Sequence, residues 1–120
     1  MITVTIFKKK DSKLESNQAV DQFLIVGVQI EGHAEFARKG KDIVCSAVSM
    51  LYINLVNSID SFTNDEIEIN GSRKINFENV ILKNMPSNEC ELLFQSFYLG
   101  ITTVYQEYGK RYIVIVEQEI

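Results

Sequence analysis

The feature that most limits what this chain can fold into is one long helical periodicity. From Ile43 to about Phe62 the apolar positions Val44, Val48, Leu51, Leu55, Ile59 and Phe62 fall on a single stripe. A stripe of that kind needs a second surface to bury it, and the rest of the chain supplies mostly strands. Asp42 stands ahead of it as a candidate N-cap, with a carboxylate able to bond the free amides of a first turn. Thr63-Asn64-Asp65 ends it. The small residues Ser46, Ala47 and Ser49 predict a close approach near its start.

A second amphipathic stripe runs through Phe94, Phe97, Ile101, Val104, Tyr105 and Tyr108. Pro86, the only proline, precedes it, Ser87 or Asn88 caps it, and Asn88 with Glu91 matches a capping box. Gly109 is the predicted stop. Around the helices lie period-2 and β-branched runs. Residues 2–8 read as a strand, Gln22 to Ile30 as its antiparallel partner, and the polar stretch Lys8 to Asp21 as a long connection. Glu66 to Asn70 and Arg73 to Glu78 read as a hairpin turning at Asn70-Gly71, with Val80 to Met85 a continuation or a further short strand. Tyr112 to Val116 reads as a closing strand at or next to the sheet centre. The order is β-β-α-β-β-(β)-α-β. It predicts an α+β domain over residues 1–120, with a mostly antiparallel sheet and two amphipathic helices.

Composition bounds the function. A chain of 120 residues with 46% hydrophobic content sustains one real core. A net charge of −4 argues against a nucleic-acid binder, which would present a basic surface. Met1 to Phe7 lacks the basic n-region and small-residue cleavage site of a signal peptide, and no window holds 18 uninterrupted apolar residues. The expectation is a cytoplasmic protein without a membrane segment. In that compartment two cysteines read as free thiols, and with one histidine they make a poor zinc site.

Chemistry concentrates between Gly32 and Ser49. This stretch holds His33, the only histidine, and Cys45, twelve residues further on. A thiolate nucleophile needs a base within about 3 Å, and a strand end facing a helix start is a place where such a pair can meet. Cys45 three residues after a capping Asp42 would also feel the positive helix end, which lowers a thiol pKa. Read alone, the same cysteine is equally a small hydrophobe among Ile43, Val44 and Ala47, and position by itself favours that reading. Asp42 is a cap or an orienting carboxylate. Ser49, one helical turn beyond Cys45, bonds a substrate, the histidine or its own helix. Gly32 serves a turn or the approach of a substrate backbone. The charged segment Glu35 to Lys41, with Phe36 as an apolar contact and Gly40 as hinge, reads as a gate over an extended peptide. Cys90 has no second histidine to pair with and reads as core filler.

Gly32-His33-Ala34, Gly40-Lys41-Asp42-Ile43-Val44-Cys45 and Ala47-Val48-Ser49 together resemble the Prp family of ribosomal-processing cysteine proteases. Ser46 departs from the alanine usual there. The resemblance implies Cys45 as nucleophile, His33 as general base and Asp42, Ser49 and Gly32 in support. It further implies a homodimer without metal or cofactor. Its implied substrate is the N-terminal extension of large-subunit ribosomal protein twenty-seven, cut after phenylalanine. A non-catalytic, ribosome-associated peptide-binding protein on the same scaffold is the alternative. A thiol redox sensor is a weaker one, since Cys90 is no evident resolving partner.

Overall fold

The computed structural model describes residues 1–11, 22–32 and 39–120. Five strands and two main helices follow in the order β1 (Ile2–Lys10), β2 (Phe23–Glu31), α1 (Lys39–Phe62), β3 (Ile67–Ser72), β4 (Phe77–Leu82), α2 (Asn88–Val104) and β5 (Ile113–Glu119). The sheet order is β3-β4-β2-β1-β5. β1 pairs antiparallel with β2, setting Val4 against Ile30 and Ile6 against Val28, with a bulge after Phe7. β2 and β4, and β3 and β4, are also antiparallel, whereas β5 lies parallel to β1. The sheet is therefore mixed but mostly antiparallel. α1 carries the chain from β2 to one edge, and α2 carries it from β4 to the other.

Alternation puts Ile2, Val4, Ile6, Val28, Ile30 and Val80 on one face of the sheet, and both helices cover that face. α1 contributes Val44, Val48, Tyr52, Leu55 and Ile59, and α2 contributes Cys90, Phe94, Phe97 and Ile101. Two ends of the predicted stripes fall outside this core: Phe62 and Tyr108 are exposed. The stretch Ile43–Phe62 is long and apolar enough to cross a membrane by length and composition, though Ser46, Ser49, Asn54, Asn57 and Asp60 interrupt its apolar run. Here its inward residues fill the core, while Ile43, Met50 and Ile53 remain on the surface. The helices approach closely at Gly100, where an added Cβ would stand 2.8 Å from Leu51 Cδ2. Ser46, Ala47 and Ser49 are not that contact.

Other departures have local causes. The β3–β4 hairpin forms, but it does not turn at Asn70-Gly71. Both residues pair within the strand, Asn70 against Asn79 and Gly71 against Glu78. The Asn70 side chain donates to Asn79 Oδ1 at 3.0 Å, and Asn79 in turn donates to Gln29 Oε1 at 3.2 Å. The turn falls at a 3-10 segment, Arg73–Ile75, closed by Asn76 at φ 58. β5 is an edge strand, not a central one. Its Val114 and Val116 are exposed, and the β-branched run reported a strand without reporting its place. A salt bridge of 2.7 Å from Lys8 to Glu117, with Tyr98 donating to the same carboxylate at 3.2 Å, ties β1, β5 and α2 together.

The start of α2 is capped by Ser87, whose hydroxyl accepts from the Cys90 amide at 3.1 Å. With Ser87 at the cap, the third helical position is Cys90, so the Asn88–Glu91 capping box does not form. Ser87 is itself held by Asp65, which accepts from the Ser87 amide at 2.8 Å and from its hydroxyl. α2 passes after Val104 into a π turn, Tyr105–Gly109, which carries the last two residues of the predicted stripe and ends at the predicted stop. Partial burial pushes the Asp65 carboxyl upward, but the hydrogen bonds from Ser87 and Thr63 outweigh it and hold the pKa below 3.8. A depressed folded pKa gives stability that is present above the unfolded value and lost as pH falls through the folded one. Asp65→Asn is therefore expected to cost roughly 1 kcal/mol at neutral pH. The gap to wild type should close as denaturation curves are taken below pH 3.8.

Candidate active site

α1 begins at Lys39, a turn earlier than the cap rule places it. Gly40 and Asp42 then lie inside its first turn, so Gly40 is not a hinge ahead of the helix and Asp42 is not its N-cap. A glycine costs a helix about 1 kcal/mol relative to alanine, too little to stop one that twenty-two further residues propagate. Cys45 is consequently in the second turn, about 9 Å along the axis from the helix start. Its amide belongs to the helical ladder, and the dipole effect has faded there. The expected first-turn activation of the thiol does not fit this position.

The side chain's direction is informative. Cys45, Ser49, Tyr52 and Val56 follow one another at spacings of four, three and four, which sets them along one flank of α1. Cys45, Ser49 and Val56 are half-buried and Tyr52 is buried. The other flank, through Leu51, is occupied by α2 at Gly100. The cysteine therefore opens on the side away from α2. There a cleft of about 160 Å³ lies between α1 and the β3–β4 hairpin, lined by Tyr52, Ile53, Val56, Asn57, Ile69 and Glu78. A larger cavity of about 630 Å³ sits between the end of α1 and the start of α2, around Phe62, Asp65 and Ser87. Size alone would nominate it. Seventeen residues of helix, about 26 Å, separate Phe62 from Cys45, so it takes no part in thiol chemistry.

Gly32 ends β2 at φ +88, and its amide donates to the Asn76 carbonyl at 2.9 Å. A Cβ at this position would collide with the Met1 carbonyl. The glycine beside His33 thus has a backbone duty, joining the start of β1, the end of β2 and the β3–β4 turn. Sequence reasoning missed this partner set, because nothing local links residue 32 to residues 1 and 76. His33, Glu35 and Phe36 lie outside the described residues. Cys90, in the first turn of α2, is fully buried. Burial, with the nearby Asp65 charge, pushes its thiol up to about 12, as core filler requires. Among the described residues, no three His, Cys, Asp or Glu side chains gather to hold a metal.

The model of the family described as cysteine protease Prp matches residues 1–113. The chain belongs to that family. It is a cysteine protease, and the ribosomal processing cysteine protease Prp of Staphylococcus aureus (strain Mu50) is a relative, 26% identical over 90 residues, or 75% of this chain and 85% of that protein. A crystal structure of an essential ribosomal processing protease Prp from S. aureus with a covalently linked product peptide superposes at TM-score 0.76 and 24% identity. That match covers 98% of this chain and 100% of the other. SMU.848 from Streptococcus mutans superposes at TM-score 0.79 and 24% identity, covering 100% and 99%. These neighbours share the α+β fold described above.

Two outcomes follow from this geometry. Brief treatment of the native protein with iodoacetamide near pH 8 should leave Cys90 unlabelled, with label appearing there only in denaturant, as peptide mapping would read. Gly32→Ala should lower unfolding stability by about 1–3 kcal/mol in urea melts, through forced left-handed backbone and the clash at Met1.

Proposed function

We propose that Cys45 is the nucleophile and His33 the general base of an endopeptidase. Its substrate would be the N-terminal extension of large-subunit ribosomal protein twenty-seven, cut after phenylalanine. The observation that carries this reading is the half-buried Cys45 on the open flank of α1, in a chain matched by the cysteine protease Prp family over residues 1–113. The S. aureus relative is named for ribosomal processing and its structures hold substrate and product peptides, which supports a precursor peptide as the substrate class.

In this mechanism His33 accepts the Cys45 proton and the thiolate adds to the scissile carbonyl carbon. The tetrahedral intermediate collapses as His33 protonates the leaving amine, giving a thioester. Water, deprotonated by His33, then releases the acid and restores the thiol. Placement of Cys45 in the second turn means that its activation rests on the base rather than on the helix end. The oxyanion is met by donors other than the Cys45 amide. Asp42, in the first turn, orients the imidazole, and Ser49, one turn beyond Cys45, steadies the substrate or the histidine. Glu35 and Phe36 contact the extended peptide. The same reading makes the enzyme a cytoplasmic homodimer that needs no metal.

The test is cleavage of a synthetic peptide spanning the extension junction, read by mass spectrometry. Wild type should cut once, after phenylalanine. Cys45→Ala should lose on the order of 10³-fold or more of the rate. His33→Ala should lose about 10²–10⁴-fold in kcat. A Cys45→Ala protein that still cuts at the wild-type rate would overturn the assignment.

A further inference from the structure

We infer that the cleft between α1 and edge strand β3 is a specificity pocket, taking one apolar side chain of the substrate peptide three to four residues from the scissile bond. The inference rests on Cys45 acting as the protease nucleophile. Its first support is direction. Tyr52 and Val56, which form the cleft wall, continue the flank of α1 that carries Cys45 and Ser49, and α2 closes the opposite flank. A peptide engaged at Cys45 and running along the helix meets this cleft next.

The second support is distance. Tyr52 and Ile53 lie seven and eight residues beyond Cys45. At 1.5 Å per helical residue that is about 10–12 Å. An extended peptide advances roughly 3.3 Å per residue, so three to four of its residues span the gap. The third support is chemistry. Tyr52, Ile53, Val56 and Ile69 line the cleft, and Asn57 and Glu78 stand at its polar rim. Ile53 is 42% and Ile69 48% exposed, although both border this cleft of about 160 Å³, whose lining mixes apolar and polar surface. One aliphatic or aromatic side chain would cover both. The Glu78 carboxylate at the rim disfavours an acidic residue there.

The fourth support is topology. Among the described residues β3 pairs with β4 alone and is an edge of the sheet, so its outer backbone is available for an extended segment. Ile67 and Ile69 alternate toward the helical face, which turns the same strand's apolar side chains into the cleft wall.

The experiment is a scan of the junction peptide with leucine, serine or glutamate placed singly from two to five residues on either side of the cut. It is run on wild type and on Ile69→Lys and Ile53→Lys, whose exposed positions leave the core intact. Wild type should prefer leucine to glutamate by about tenfold or more in kcat/KM at one position three or four residues away. Ile69→Lys should raise KM for the leucine peptide and reverse the preference toward glutamate, with unchanged melting temperature and unchanged iodoacetamide labelling of Cys45. A charge-directed reversal is not a result that mere loss of structure produces. If both lysine variants rank the peptides as wild type does, the pocket assignment falls while the protease reading stands. If wild type cuts none of the series, the substrate reading falls and the pocket falls with it.

Discussion

The structure hangs on the backbone junction at Gly32. Its amide reaches the Asn76 carbonyl, its φ of +88 turns the chain, and its missing side chain admits the Met1 carbonyl. One residue therefore fixes the start of β1, the end of β2 and the tip of the β3–β4 hairpin relative to each other. The obstacles around it are backbone atoms, which cannot swing aside as the end of a flexible side chain can. In chain order this junction precedes α1, the helix that bears Cys45. A glycine beside the histidine is explained by the frame before any substrate is considered.

How much of this was legible in the sequence depends on how local each determinant is. Val44, Val48, Leu55 and Ile59 announced α1 because a helical stripe is written in one short window. Ile2, Val4 and Ile6 announced β1 in the same way. The hairpin turn was misplaced because Asn70-Gly71 is a strong local turn signal, and a distant partner overrode it: the Asn70 amide is taken up by Asn79, and the strand continues to Ser72. The edge position of β5 depends on which strand it meets, and its own residues do not encode that. Ser87 was identified as one of two caps, but its anchor on Asp65 joins residues 22 positions apart and left no trace in either window. The proposed site rests mainly on the joint spacing of Gly32, His33, Asp42, Cys45 and Ser49, since elementary physics alone favoured filler over nucleophile for Cys45.

Packing on the two flanks of α1 explains why a core helix can also leave Cys45 half-exposed. Its inward arc is sealed by Val44, Val48, Leu55 and Ile59, all nearly or wholly buried. Its α2 flank is sealed where Leu51 meets the bare backbone of Gly100. Among the described residues the sheet is five strands wide and the two helices leave Ile69 on the β3 edge half-exposed. The uncovered edge and the flank bearing Cys45 are the same side of the helix. A cysteine placed one position earlier or later would point into the core or toward solvent instead.

The two cysteines also show which physical effect governs a thiol in this fold. Cys90 occupies the position that helix-dipole reasoning favours, the first turn of α2, next to a capped N-terminus. Yet its thiol is pushed up to about 12, because desolvation of a buried thiolate, helped by the negative charge of Asp65, outweighs the attraction of the helix end. Cys45 stands a turn too deep for the dipole and keeps partial exposure. Burial, rather than place along a helix, therefore decides the state of the Cys90 thiol. The rule that first drew attention to Cys45 applies by position to Cys90, where burial cancels it.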